Sequence, residues 1–265
     1  MHINLTTRKI FVILILAEIV TTTISIFTGS EFYFCLKPFI HIGLTIFIYL
    51  FTTPKYNIKR QKKFVNQITI MATIAYILIY FLSGILFSFA NNPLNMKSYN
   101  IIFNILYYIP TAISVELIRY RLTNTFNYQK RLKNIVFLSI ILTFYMSNIP
   151  VSNFMALNSF IETFYQIIIP NFVIGCFLSY VALNGSLYSC IIYTLCPTLF
   201  NLFSPIVPNP EWIITVIIKT IIPLLCYTLL DRTITQEKKK SQKKSKTLPY
   251  YLGIGIMTIL AMLLT

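Results

Sequence analysis

Four ionisable side chains lie inside long apolar runs, where charge is costly and each charged residue is a candidate functional site. They are Glu18, Glu116, Arg119 and Lys219. Glu18 and Lys219 each lie about 12 Å into their runs, counted from opposite faces at ~1.5 Å per residue. Both would then be near the middle of a bilayer and could pair if their helices touch. Otherwise a neutral Glu18 hydrogen-bonds to a neighbouring helix and Lys219 extends toward the surface.

Two further groups of charges lie nearer the inner membrane surface. Glu116 and Arg119 are three residues apart on one helix face and can form an intrahelical ion pair. Alternatively Arg119 anchors the helix end at the surface, which is the interpretation we favour. A basic cluster could bind anionic lipid of the inner leaflet, although its charge is already explained as a topology signal. It comprises Lys238, Lys239, Lys240, Lys243, Lys244 and Lys246.

Metal and cofactor chemistry is not indicated by the remaining reactive residues. His41 stands in an apolar run without a second ligand at suitable spacing, so a packed polar residue is favoured over a metal or proton site. The five cysteines form no CxxC pair, and we expect small buried thiols. No phosphate-binding glycine loop, nucleophile elbow or HExxH motif occurs. We therefore expect no metal and no cofactor.

The composition is that of a membrane protein. Hydrophobic residues make up 56%, charged residues 11%, and the mean hydropathy is +0.72, whereas soluble domains carry about 25% charged residues. The net charge of +15 would suggest nucleic acid in a soluble chain. Here the basic residues lie between apolar runs, so the sequence predicts an all-α, polytopic transmembrane helix bundle in the cell membrane. Nucleic acid is not an expected partner.

The apolar runs predict about nine transmembrane spans, with eight as the lower count. Four prolines inside these runs, Pro110, Pro170, Pro197 and Pro223, can kink helices and free carbonyls to line a cavity. The predicted spans are 10–27, 33–53, 64–90, 98–120, 134–149, 160–183, 187–203, 212–230 and 248–265.

The distribution of lysine and arginine predicts the orientation. With a cytoplasmic N-terminus, the inner segments hold 2, 5, 5 and 7 basic residues, together 19 of the 22. Only Lys37, Lys97 and Lys219 fall elsewhere, as the positive-inside rule requires. We expect a membrane domain over 1–231, a cytoplasmic basic linker over 232–247, and a final helix over 248–265. That helix is expected to lead to a further extracytoplasmic domain.

Part of the chain resembles a known family. The succession of YYIPTAISVELIRYRL, PNFVIGCFLSYVALNGSLYSCIIYTL, NLFSPIVPNPEW and a Lys-rich linker before YYLGIGIMTILAMLLT is similar to the membrane region ahead of some bacterial type I signal peptidases. The similarity covers most of the chain from about Tyr107 onward. It implies a serine endopeptidase that removes signal peptides from exported proteins, using a Ser-Lys dyad.

The catalytic part of such an enzyme is not among these residues. The nucleophile of the family lies in a Ser-Met-x-Pro stretch after the last helix, and no Ser-Met pair occurs in the 265 residues. No catalytic residue is therefore carried over, and the expected role is a membrane anchor that meets the bilayer and signal peptides. The alternatives are a transporter subunit or permease of unknown substrate, which would use Glu18 and Lys219, and a non-catalytic membrane assembly protein.

Overall fold

The computed structural model describes residues 7–28, 30–54, 62–92, 98–126, 131–147 and 157–240, and within them it confirms the all-α class. A π-helical turn over Phe164–Ile168 joins α6 to α7, so that these two helices form one continuous rod. The helices are α1 (Thr7–Thr28), α2 (Ser30–Phe51), α3 (Lys62–Phe87), α4 (Ser98–Thr125), α5 (Arg131–Met146), α6 (Leu157–Thr163), α7 (Ile169–Asn184), α8 (Leu187–Phe203) and α9 (Trp212–Lys240).

Four helical segments are long and apolar enough to cross a membrane, as expected for a membrane protein. They are residues 62–87, 100–125, 159–184 and 212–234. Three shorter apolar helices occupy 36–51, 132–146 and 187–203. Large apolar side chains face outward from the bundle, with Leu50, Ile85 and Leu106 each more than 60% exposed. Such an apolar surface is compatible with the hydrocarbon interior of a lipid bilayer.

The predicted third span is too long at its end. The helix stops at Phe87 rather than Ala90 because Ser88 takes a left-handed conformation, with φ of 82°. Residues 89–91 then form a short strand, β1 (Phe89–Asn91), which pairs antiparallel with β2 (Ile206–Pro208). The segment between α8 and α9, which lies between two predicted spans, therefore contains a strand.

The predicted cytoplasmic linker is partly helical. α9 runs on to Lys240 and so includes residues 232–240 of the segment predicted to be a linker. Gln, Glu and Lys are good helix formers, and neither Gly nor Pro occurs between Pro223 and Lys240 to stop the helix. Residues 241–265, with the rest of the linker and the predicted ninth span, lie outside the described residues.

The buried apolar side chains form two separate clusters. One joins α3, α7, α8 and α9, and includes Val65, Leu178 and Tyr193. The other joins α1, α2, α4 and α5, and includes Leu14 and Leu142. α4 packs against both α7 and α8. The surface between the two groups of helices, which we call the seam, therefore runs along α4.

Polar contacts fasten the two ends of the bundle. At one end, called the Asn66 end, Asn66 Oδ1 accepts hydrogen bonds of 3.0 Å from the Ser186 amide, the Ser186 hydroxyl and the Ser189 hydroxyl. These bonds hold the turn between α7 and α8 against the start of α3. Arg121, near the end of α4, donates from Nη2 to the Tyr49 carbonyl at 3.2 Å and to the Thr52 carbonyl, and thereby caps the end of α2.

The opposite end carries the paired strands, and we call it the strand end. Phe89 faces Pro208, and Asn91 faces Ile206. The Asn92 side-chain amide donates to the carbonyls of Asn201 and Ser204, each at 2.7 Å. The end of α8 is thus held to the segment that follows α3.

Candidate functional site

A partly open cavity of about 350 Å³ lies among α2, α4, α5 and α8. Its lining combines one cation with tyrosines, threonines and an amide, and includes Lys37, Tyr107, Thr111, Tyr145, Thr198 and Asn201. Volumes of about 300–1,000 Å³ are usual for small-molecule sites. The cavity is therefore large enough to hold a small organic solute.

The position of the cavity follows from the two-cluster architecture. α8 belongs to one apolar cluster, whereas α2, α4 and α5 belong to the other, so the cavity lies on the seam. Its lining includes Thr198, Asn201 and Leu202 from the last two turns of α8, which lead into the paired strands. The cavity therefore lies at the strand end. Interfaces between packed units are common positions for ligand sites.

Lys37 is the charged residue of this cavity. Its side chain is only 1% exposed, although it stands on an apolar helix. It interacts electrostatically with the Glu18 carboxylate of α1. The sequence interpretation missed Lys37 because it lies near the predicted start of the second span and was counted as an exception to the charge rule. Lys37 lies four residues before His41 on the same helix face, and this spacing was the sequence signal that could have identified it.

Tyr145 connects the cavity to α1. Its side chain is fully buried, and its hydroxyl donates to the Leu14 carbonyl at 2.7 Å. The His41 ring lies against the Tyr145 ring, with centroids 4.9 Å apart. His41 is thus packed on an aromatic neighbour, as expected for a packed polar residue. The described part of the chain contains no group of three His, Cys, Asp or Glu side chains placed to hold a metal ion.

A second buried cation, Arg119, forms a polar cluster with Glu116, Gly175, Ser179 and Ser139. The Arg119 Nε donates to Glu116 Oε2 at 3.0 Å, and its Nη1 donates to the Gly175 carbonyl at 2.7 Å and to the Ser179 hydroxyl at 3.2 Å. The hydroxyls of Ser139 and Ser179 are 3.1 Å apart. We call these five residues the Arg119 cluster. It joins α4 and α5 to α7 across the seam.

The predicted ion pair of Glu116 and Arg119 is confirmed, but the favoured anchoring role for Arg119 is wrong. Arg119 is 2% exposed and therefore does not lie at a surface. The reason is that α4 continues to Thr125, beyond the predicted end at Tyr120, which places Arg119 more than a turn inside the helix. Arg121 takes the position at the helix end instead.

Glu18 and Lys219 belong to different parts of the bundle. α1 packs mainly against α2 and α5, whereas α9 packs mainly against α7 and α3. Pairing of Glu18 with Lys219 would require contact between α1 and α9, but neither of these helices packs mainly against the other. The cation that acts on Glu18 is Lys37, and Lys219 is half-buried on α9.

The other predicted features fall partly outside the described residues. Lys238, Lys239 and Lys240 form the last turn of α9, where the backbone alone is described. Lys243, Lys244 and Lys246 of the predicted lipid-binding cluster lie beyond the described residues. None of the described cysteines forms a disulfide; Cys190 and Cys226 are buried, and Cys176 and Cys196 are half-buried.

Comparison with family models, with curated proteins and with solved structures finds no match for this chain. Its function has therefore to be inferred from the cavity and from the charges that surround it.

Proposed function

We propose that this chain is a multi-pass protein of the cell membrane that binds a small solute in the cavity on the seam, and that it belongs to the transporter or permease class. The observation that carries the proposal is Lys37, a buried lysine that lines a partly open cavity. An ionisable side chain in a membrane bundle is expensive and usually marks a solute or ion path. Its position between two packed groups of helices suits a site that opens and closes as the groups move.

The proposed arrangement has about nine spans, a cytoplasmic N-terminus and an outer face at the strand end. Two contacts support it, because each joins segments that the positive-inside count assigns to one side. β1 begins at the predicted outer end of the third span and pairs with β2, which lies in a predicted outer segment. Asn66 lies at the predicted inner end of the third span and contacts Ser186, which lies in a predicted inner turn. In this arrangement the cavity faces the outside of the cell.

Cysteine labelling from outside the cell tests this proposal. A Thr198→Cys variant should react with a charged, membrane-impermeant methanethiosulfonate added to intact cells, because Thr198 lines the cavity. The matched control is Leu106→Cys, whose side chain is 62% exposed on the outside of the bundle and would face lipid. The unmodified chain measures the reaction of the native thiols. Equal labelling of both variants, or of neither, would contradict an outward-facing cavity.

The second candidate function is the membrane region of a signal peptidase. It is favoured by the same contacts between helix ends, since they support a count of spans that places residues after the predicted helix 248–265 outside the cell. The Ser-Lys dyad would then lie outside these 265 residues, at the face where exported precursors are cleaved. In that case the cavity lining would have no role in cleavage, and neutral replacement of Lys37 would be tolerated.

The coding DNA beyond the codon for Thr265 tests the second candidate. A reading frame that continues into Ser-Met-x-Pro and a strand-rich segment with a lysine would support the peptidase. A stop codon directly after Thr265 would exclude it and leave the solute-binding proposal as the one to pursue.

A further inference from the structure

The chemical class of the solute can be inferred from the lining of the cavity, if the proposed solute-binding function holds. The ammonium of Lys37 is accompanied by the aromatic side chains of Tyr107, Tyr108 and Tyr145. Thr111 and Thr198 also line the cavity, each with its hydroxyl donating to the carbonyl four residues earlier on its helix, and the described lining residues include no carboxylate. Such a lining complements one acidic group attached to an apolar body.

Asn201 supplies a second, independent sign of a ligand. Its Oδ1 atom is buried and has no hydrogen-bond partner within the described residues, although its residue lines the cavity. Buried amide oxygens are rarely left without a donor. A hydroxyl, amide or water that enters with the solute would satisfy this atom.

Charge balance determines what must accompany an acidic ligand. α1 packs against α2, and the opposite charges of Glu18 on α1 and Lys37 on α2 attract each other, with Glu18 outside the cavity lining. A bound carboxylate would add a negative charge to this neutral pair. A net charge inside a membrane bundle is strongly unfavourable, so a proton is expected to restore neutrality.

We infer that the cavity binds a small organic monocarboxylate and that each binding event places a proton on Glu18. The ligand carboxylate becomes the counter-ion of Lys37, and the proton from water forms an O–H bond at the Glu18 carboxylate. The O–H bond that breaks is that of the solvent hydronium ion, which gives up the proton and leaves water. The site is neutral before binding, when Lys37 and Glu18 carry opposite charges, and neutral after it, when the ligand carboxylate balances Lys37 and Glu18 is protonated, so the anion and the proton move together.

The neighbours of Glu18 offer rival proton acceptors that must be tested separately. α1 packs mainly against α2 and α5. Among the described residues, Lys37 on α2 and Tyr145 on α5 interact electrostatically with Glu18, and His41 on α2 lies against Tyr145 and interacts with Lys37. Within the described residues neither nitrogen of His41 has a hydrogen-bond partner, so His41 is the strongest rival.

The experiment is calorimetric titration of the full chain in detergent with acetate, hexanoate and benzoate, and with neutral benzamide as the control ligand. At least one carboxylate should bind, with uptake of about one proton, so that affinity falls about tenfold per pH unit once Glu18 ionises. Glu18→Gln should lose the fall in affinity that begins when Glu18 ionises, and its affinity should decline only at the higher pH where Lys37 loses its proton. His41→Gln should keep the pH dependence of the wild type.

Lysine variants test the carboxylate contact. Lys37→Met should lose roughly tenfold to a hundredfold in affinity, as expected for a charge-assisted hydrogen bond. Lys37→Arg should retain binding, and Lys219→Met, which removes another lysine of the bundle, should bind as the wild type does. Thermal unfolding in the same detergent verifies that each variant is folded. If Lys37→Met does not fold, Lys37→Arg and Glu18→Gln carry the test.

Three outcomes would overturn the inference. They are the absence of binding for all three carboxylates, a fall in affinity that begins at the same pH in Glu18→Gln as in the wild type, and loss of the pH dependence in His41→Gln. Binding of benzamide as tight as that of benzoate would likewise exclude an anion site. Labelling of Thr198→Cys separates this failure from failure of the proposed function, because it reports a water-filled cavity whatever the ligand is.

Discussion

Among the described residues, Arg119 and Lys37 are two almost equally buried basic side chains, and their surroundings differ. Arg119 is 2% exposed and Lys37 is 1% exposed. Arg119 donates to a carboxylate, a carbonyl and a hydroxyl inside the protein, and these bonds close the seam between α4 and α7. Lys37 lines an open volume on the same seam. Burial alone therefore does not distinguish a site from a structural contact; the space beside the charge does.

The two regions also differ in their place along the helices. Thr111 of the cavity and Arg119 are eight residues apart on α4, which corresponds to about 12 Å. The Arg119 cluster lies toward the Asn66 end, and the cavity lies toward the strand end. The seam is thus closed by hydrogen bonds on one side and open on the other. A solute-binding bundle that is open to one side of the membrane would have this arrangement.

The largest expected effect is on stability, from Arg119→Met. Removal of the guanidinium leaves Glu116 buried without its counter-charge, and such losses cost about 3–5 kcal/mol. The expected result is a large drop in the midpoint of thermal unfolding in detergent. The double variant Glu116→Leu/Arg119→Met should recover part of this loss, because no lone charge remains. Equal stability of Arg119→Met and the wild type would contradict a structural role.

The next effect concerns the turn at the Asn66 end. In Gly185→Ala the added Cβ would lie 2.8 Å from Val65 Cγ1 and 3.0 Å from Asn66 Oδ1, closer than packed atoms allow. The expected destabilisation is about 1–3 kcal/mol, the usual range for overpacking. Gly43→Ala is the matched control, because no neighbouring atom lies within 4 Å of its added Cβ. Thermal unfolding should separate the two variants, with Gly43→Ala at least as stable as the wild type.

A smaller effect is expected from Asn92→Ala at the strand end. This change removes hydrogen bonds to the carbonyls of Asn201 and Ser204, for a loss of about 1–2 kcal/mol. Because Asn201 lines the cavity, the change should also alter the labelling rate of Thr198→Cys. An unaltered labelling rate together with normal stability would show that these bonds do not shape the cavity.

The smallest effect on stability is expected from Lys37→Met. A methionine of similar length can fill the position of the lysine stem, and Glu18 can become neutral by taking a proton. The unfolding free energy should therefore change by no more than about 1 kcal/mol, in contrast to Arg119→Met. A destabilisation as large as that of Arg119→Met would mean that Lys37 is a structural residue as well.

The sequence predicted the helical class, and it predicted the helices where apolar runs are long. It also predicted the Glu116–Arg119 pair, because three residues on one helix are a local relation. The bonds from Arg119 to Gly175 and Ser179 join positions 56 and 60 residues apart, and spacing cannot reveal them. α3 ends inside an apolar run because Ser88 takes a left-handed backbone conformation, which hydropathy cannot predict.

The cavity could not be predicted from the sequence, for a related reason. Lys37 lines a cavity only because α2, α4, α5 and α8 meet in the folded chain. The order of the helices around the seam depends on packing between segments that are distant in the sequence. The predicted partner of Glu18 was chosen by depth in the bilayer alone. Depth is shared by many residues, whereas α1 packs mainly against two neighbours, and one of these carries Lys37.

The most direct measurement compares thiol labelling at the two regions in intact cells. Thr198→Cys places a thiol in the cavity, and Ser139→Cys places one in the Arg119 cluster. With a charged, impermeant reagent added outside, the cavity thiol should react well above the level of the unmodified chain, and the thiol at Ser139→Cys should not. Comparable reaction at both positions, or reaction only at Ser139→Cys, would contradict an open solute site beside a closed structural cluster.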